Sequence, residues 1–307
     1  MIGATRYIAS VEIARQSKLS GDMSKLQQSI SSNNRLSAPS DDPNAAARIA
    51  DIRQDQADNA VWTRNTNTGA SIASGADTAV KSLANLLTRA REQIIQGAND
   101  TNGNVDRAAI ATELRSIAAQ VTTLRASNDA NGQPLFPSGD PVAIPVSPGL
   151  SIAATTSAKQ VFDGLSTDLG PKSIETILTD AASALELPID GTVAKTDSDG
   201  NPVLDADGNP VLLKRSEVIT VSVAAIGLAG DHVAIERTDQ GLRAQRFDDT
   251  KDRIVANNTD LKVERSSLED TDTTAAIADY QAKSLALQAA QSMYAQTHKR
   301  TLFDLLG

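Results

Sequence analysis

The sequence predicts a mainly α chain with a β insertion: a long antiparallel helical coiled-coil stalk formed by N- and C-terminal segments, plus a small central β-rich domain. Three observations predict it. Apolar residues recur at heptad spacing toward both ends of the chain, as in helices that bury one narrow stripe against a partner. Between those ends, prolines and β-branched runs replace the heptad pattern. Aromatics make up 3% of the 307 residues while 40% are hydrophobic, so Ala, Ile, Leu and Val carry the apolar area. That composition suits slender helix–helix seams better than a thick core.

The first helix carries Ile8, Val11, Leu19, Met23, Leu26 and Ile30, the last four at spacings of 4, 3 and 4. Gly21 weakens it by up to about 1 kcal/mol, so the segment needs a partner to be stable. A stop and restart follows in LSAPSDDPNAAARIADIR, residues 36–53. Pro39 holds Ala38 out of the helical region. With Ser40 and Asp41 completing the joint, Asp42 caps the next helix and Pro43 takes its first position, where a missing N–H is harmless. Both aspartates suit the positive end of a helix dipole.

From about Asn44 to Gln96 runs a helix roughly 80 Å long at 1.5 Å per residue. Its seam is weak through Gln56, Asn59, Thr63 and Thr66, and firms at Val80, Leu83, Leu87, Ala90 and Ile94. Turn-forming residues from Gly97 to Gly103 end it. The third helix places Ile110, Leu114, Ile117, Val121 and Leu124 at spacings of 4, 3, 4 and 3, and the short loop before it implies an antiparallel pair.

Prolines other than Pro39 and Pro43 gather between Gln133 and Pro210. VAIPV (142–146), KQVFDG (159–164) and VITVSVAAIG (218–227) read as short strands on their β-branched content. A tandem copy follows: Asp197-Ser-Asp-Gly-Asn-Pro-Val-Leu, then Asp205-Ala-Asp-Gly-Asn-Pro-Val-Leu. Its Asp-Gly pairs favour tight hairpin turns, and Pro202 and Pro210 confine their neighbours to edges or loops. Helical spacing returns near His232, with Ile254, Leu261 and Leu268 on one seam and a break at Asp270-Thr-Asp. The last helix carries Ala275, Ala278, Ala282, Leu285 and Ala289, and closes with Leu302, Phe303 and Leu306. The expected division is a terminal coiled-coil core (1–42 and 268–307), a long-helix bundle (43–136 and 231–267) and a solvent-exposed β-rich domain (137–230). Paired ends with such sparse seams imply assembly with other copies.

Nothing in the chain asks for catalysis. With 29 basic and 38 acidic residues the net charge is −9, which disfavours tracking nucleic-acid phosphates. Cysteine is absent, so thiolate metal sites, disulfides and cysteine nucleophiles are too. An EF-hand reading of the Asp-Gly repeats fails. Its first acid would fall on Lys195 or Val203, and its closing glutamate on Ala206 or Lys214. His232 and His298 lack companions at ligand spacing, and neither a phosphate loop nor a Gly-x-Ser-x-Gly elbow is present. No catalytic residue, cofactor or metal is expected. The first residues lack the form of a secretory signal, and no window is expected to span a bilayer.

LSAPSDDPNAAARIADIR, preceded by Arg35, resembles the R-x-x-x-P-S-D-D-P signature of the bacterial flagellin family. The Pro-Ser-Asp-Asp-Pro form is more similar to hook–filament junction members than to filament flagellins, which place Ser-Ala-x-Asp-Asp-Ala there. NLLTRAREQIIQGANDT (85–101), ANGQPLF (130–136), SSLEDTDTTAAIADYQAKSLALQAA (266–290) and the ending TLFDLLG also resemble family segments, over about 1–136 and 240–307. The start Met1-Ile-Gly-Ala departs from the family's longer apolar opening.

The resemblance implies a flagellin-like self-assembling subunit at the hook–filament junction or in the filament. Terminal helices would form the inner wall of a hollow fibre, the long helices the next shell, and the β domain the solvent face. Implied partners are other copies, hook-associated proteins, flagellin and an export chaperone, with no nucleic acid and no membrane insertion. The implied route is the flagellar type III path, and the implied location is the extracellular flagellum or cell surface. Arg89, Arg91 and Glu92 match positions by which an innate immune receptor recognises some filament flagellins, although Gln93 replaces the usual leucine. The alternative for that stretch is an assembly surface. A surface adhesin or glycan-binding homologue using the central domain is the alternative for the whole chain.

Overall fold

A computed structural model describes residues 2–99, 101–167, 170–188, 190–195, 201–205 and 207–303. In chain order the helices are α1 (Ile2–Ser32), α2 (Pro43–Gly97), α3 (Asn104–Arg125), α4 (Ala158–Phe162), α5 (Ile174–Glu186), α6 (Arg215–Glu269) and α7 (Thr273–Phe303). The strands are β1 (Ala143–Ser147), β2 (Leu150–Ala153), β3 (Leu165–Thr167), β4 (Gly170–Lys172), β5 (Thr192–Ala194) and β6 (Leu212–Lys214). They pair as three separate antiparallel ribbons, β1 with β2, β3 with β4 and β5 with β6. The chain forms two compact units, residues 1–58 with 256–307, and residues 59–255.

The 59–255 unit holds the main core. Val80, Leu83, Leu87, Ala90 and Ile94 of α2 are buried, as are Ile110, Leu114, Ile117 and Val121 of α3. Heptad spacing in the sequence therefore marks the inward stripes of both helices. Helix α5 packs on α3 and adds Ile174, Ile177, Leu178, Ala181 and Leu185. Gly97 is needed where α2 ends, since a Cβ there would lie 2.8 Å from both terminal methyls of Leu185. A smaller cluster gathers Ala73, Val146, Ile152 and Ala154 around Phe247, and a Cβ on Gly69 would enter the Phe247 ring.

Three expectations for the central region are corrected. KQVFDG forms α4 and its exit, with Ser157 accepting from the Gln160 N–H as N-cap. VITVSVAAIG lies inside α6, which begins at Arg215 and not near His232. Within that stretch and just beyond, Val218, Ile219, Ala225, Ile226, Ala229 and Val233 are buried, a helical period that outweighs β-branched content. The third correction concerns membrane spanning. Helix α6 contains an 18-residue window of mean hydropathy 1.8, long and apolar enough to cross a bilayer by length and composition alone. The buried hydrophobic residues of its opening turns, Val218 to Val233, are part of the 59–255 core. VAIPV does form β1, in register with β2 through Ala143↔Ala153 and Ile144↔Ile152. The second Asp-Gly pair turns as expected: Gly208 has φ +81° and Leu204 bridges Pro210. Asp205 accepts at Oδ1 from the N–H groups of Asp207 and Asn209. The first pair, Asp199-Gly200, lies outside the described residues.

In the unit of 1–58 and 256–307, α1 packs against α7. They run antiparallel, as the antiparallel bridge between Asn34 and Asp270 at their shared end requires. Leu19, Met23, Leu26 and Ile30 of α1 are half-buried. On α7 the inward stripe is Ala276, Tyr280, Leu287, Ala290 and Tyr294. Both sets keep heptad spacing.

Candidate functional site: a double joint and two outward helix faces

The stop and restart at 36–43 folds as its chemistry dictates. Helix α2 opens at Pro43. Asp42 accepts from the Ala45 N–H at Oδ1 (3.0 Å), and its carbonyl accepts from the Ala46 N–H (2.9 Å). This is an aspartate N-cap with proline at the first helical position. Asp41 acts differently from expectation, turning back on the loop to accept from the N–H groups of Ser37 (3.1 Å) and Ala38 (2.9 Å). Pro39 and Ser40 are exposed at the tip. Asn33, at the exit of α1, has φ +52°, a conformation asparagine tolerates better than most residues.

A second joint pairs with the first. Arg35 donates its N–H to the Glu269 carbonyl (2.7 Å), and Thr271 donates to that of Asn33 (3.3 Å). The Arg35 guanidinium donates to the Leu268 carbonyl (3.0 Å) and lies 3.6 Å from the Asp42 carboxylate. One cation thus satisfies the C-terminal end of α6, a favourable place for its charge, and faces the carboxylate that caps α2. Asp272 then caps α7 through the Ala275 N–H (3.0 Å), so the Asp270-Thr-Asp break is a recap. Glu269 closes the arrangement by accepting from Arg53 (2.6 Å) and pairing with Arg265 (3.2 Å). Further along, Arg48 and Glu264 form a two-pronged pair at 2.6 and 2.9 Å. That hydrogen bonding lowers the Glu264 carboxyl and raises the Arg48 guanidinium from their ordinary values. Such a pair favours the folded state above the ordinary carboxylate range, and the contribution fades as pH falls through the lowered Glu264 value.

Beside the joint lies a groove of about 560 Å³, walled by Leu36, Ala38, Pro39, Pro43, Ala46 and Ile49, with Arg53 and Glu269 among its remaining lining residues. Of the expected seam residues, Leu19, Met23, Leu26 and Ile30 are half-buried on the paired face of α1. Val11 (48% exposed) and Leu285 (69% exposed) point outward, as does Ala289. Thus α7 carries two heptad stripes, and spacing alone selected the outward one. Ile8, Leu302 and Phe303 sit in helices but outside the side chains described, and Leu306 lies outside the described residues. On α2, Arg89 pairs with Glu113 of α3 (2.6 Å), while Arg91 and Glu92 are exposed. His232 meets the Gln160 carbonyl at 2.7 Å through Nε2. Among the described residues no group of three or more His, Cys, Asp or Glu is placed to hold a metal. Arg35 and Glu269 were missed because their partnership spans more than 230 residues. The only local trace is the cap-like spelling of each joint.

The comparisons agree with this architecture. The bacterial flagellin N-terminal helical region matches residues 5–139, and the C-terminal helical region matches residues 223–306. Flagellar hook-associated protein 3 of Salmonella typhimurium is 22% identical over 308 residues, covering 92% of each chain. B-type flagellin of Pseudomonas aeruginosa is 30% identical over 131 residues, 42% of this chain and 27% of that one. Among solved structures, a flagellar hook-associated protein from Vibrio parahaemolyticus aligns with TM-score 0.59 at 18% identity, over 75% of this chain and all of that one. The flagellar junction protein FlgL from Legionella pneumophila aligns with TM-score 0.54 at 14% identity, over 73% and 99%. With both terminal helical regions matched and the helices they name folded and paired as described, the chain belongs to the bacterial flagellin family.

Proposed function

We propose that the chain is a self-assembling structural subunit of the bacterial flagellum placed at the hook–filament junction. It is a structural protein, not an enzyme. The observation that carries the placement is coverage. Hook-associated protein 3 corresponds along 92% of both chains, whereas the flagellins correspond over 42–43% of this chain and 27–35% of their own length. A filament subunit would leave most of its length unmatched here. The outward stripe of α7 supports assembly, because Ala278, Ala282, Leu285 and Ala289 are exposed and uncharged over three turns. Such a face gains by being covered. The partners in this reading are further copies of the chain, hook proteins on one side and flagellin on the other, with an export chaperone before assembly. The location is the extracellular flagellum.

Immunogold labelling of an epitope-tagged chain in flagellated cells tests the placement. Gold confined to the hook–filament boundary is expected. Gold along the whole filament would replace the junction reading with a filament one, and gold absent from flagella would reject both.

A further inference from the structure

Helix α1 has a second heptad stripe, turned away from α7. Tyr7, Val11, Ala14, Lys18, Gly21 and Lys25 follow one another at spacings of 4, 3, 4, 3 and 4, and all are exposed. Tyr7 is 71% exposed and Val11 48%. The stripe is apolar near the start of the helix and basic farther on. Nothing lies within 4 Å of where a Gly21 Cβ would be, so another helix could approach there closely.

The opening turns of α2 present the matching order. The apolar groove, with Pro43 and Ala46 in its wall, comes first, and the exposed Asp51, Gln54 and Asp58 follow. Arg53 and Arg48, the cations nearest in sequence to Asp51, are engaged by Glu269 and Glu264. A parallel alignment offset by 33 residues sets Ala14 beside Ala47, Lys18 beside Asp51, Gly21 beside Gln54 and Lys25 beside Asp58. The same offset carries Tyr7 and Val11 to the level of Ser40 and Asn44, alongside the groove. Charge spacing and apolar position are independent features, and one offset satisfies both.

Resting on the assembly reading above, we propose that the outward stripe of α1 docks on the joint groove and acidic face of α2 of a second copy. The chain's own α2 is ruled out as partner. Setting α1 beside it would require residues 33–42 to run back nearly fully extended, whereas Asp41 and Arg35 hold them in turns. The contact is therefore heterologous, joining one end of a copy to a different surface of the next. Contacts of that kind that do not close make stacked fibres, and their charge pairs set register more than affinity.

Charge exchange in the full chain tests this, in cells lacking the native copy and complemented with each variant. Lys18→Glu with Lys25→Glu, and separately Asp51→Lys with Asp58→Lys, are each expected to lower the fraction of filament-bearing cells about tenfold. All four changes together are expected to restore it to within about twofold. Undiminished filaments in either reversed pair, or no restoration in the combination, would overturn the proposal. A second measurement is independent of charge. The chain has no cysteine, so co-expressed Ala14→Cys and Ala47→Cys chains in isolated flagella should form disulfide dimers with a mild oxidant. Flagella that contain both variants yet yield only monomer would overturn it as well. If the unmodified tagged chain never enters flagella, it is the assembly reading that fails.

Discussion

At the residue scale the joint rests on few side chains, each with a separable role. Asp42 caps α2 and faces Arg35, whereas Asp41 shapes the loop before it. Asp42→Ala should therefore remove a cap and leave Arg35 without its carboxylate. A cap of this kind contributes about 1 kcal/mol, and the exposed pair adds little. Chemical denaturation of the purified chain is expected to show a loss near that size, with Asp42→Asn retaining most of it because asparagine caps nearly as well. An equal loss in both variants would mean that the charge toward Arg35, and not the cap, is what matters. This cap was legible from Asp42-Pro43 alone, since its bonds run only three and four residues along the chain. Arg35 was not legible, because its acceptor is the carbonyl of Leu268, and no local rule pairs residues so far apart.

Among the elements, legibility followed how far each pattern could be checked within its own segment. Helices α2 and α3 bury Val80, Leu83, Leu87, Ala90 and Ile94 and Ile110, Leu114, Ile117 and Val121 as their spacing indicated. Leu124 and the weak α2 positions Gln56, Asn59 and Thr63 are half-buried. VITVSVAAIG was misjudged because β-branched composition was weighed before period, though its buried positions recur as in a helix. Helix α5 went unseen in the proline-bearing region despite Ile174, Ile177, Leu178, Ala181 and Leu185 at helical spacing. On α7 the ambiguity was real. Two stripes of small and apolar residues both fit a heptad, and only the position of α1 decides which is inward. The two stripes make a discriminating prediction. Leu285→Asp puts a charge on an exposed position, so circular dichroism and thermal unfolding of the isolated chain should match the unmodified protein while assembly into flagella is lost. Leu26→Asp charges a half-buried position against α7, so it should weaken the isolated chain by on the order of 2 kcal/mol as well. Normal flagella from Leu285→Asp cells would remove the outward stripe from the assembly surface.

For the whole molecule, the buried residues are distributed unequally between the two units. The larger core cluster runs from Ala76 to Val233 and the smaller from Ala73 to Phe247, all inside the 59–255 unit. The α1–α7 pair holds mainly half-buried contacts, with Ala276 its one buried hydrophobic residue among those described. Seams of that kind are marginal until further surface is covered. Removing residues 1–40 and 270–307 should thus leave a chain that keeps both clusters, the Asp42 cap and the Arg48–Glu264 pair. Such a fragment is expected to run as a monomer in size exclusion and to melt in one cooperative transition. It should also be absent from flagella when expressed in place of the full chain. A fragment without that transition would mean that the terminal helices belong to the folding core and do not merely await neighbours. The choice turns on area. A two-helix pair with one narrow stripe buries too little for the core of the 59–255 unit to depend on it, but enough to hold α1 and α7 together.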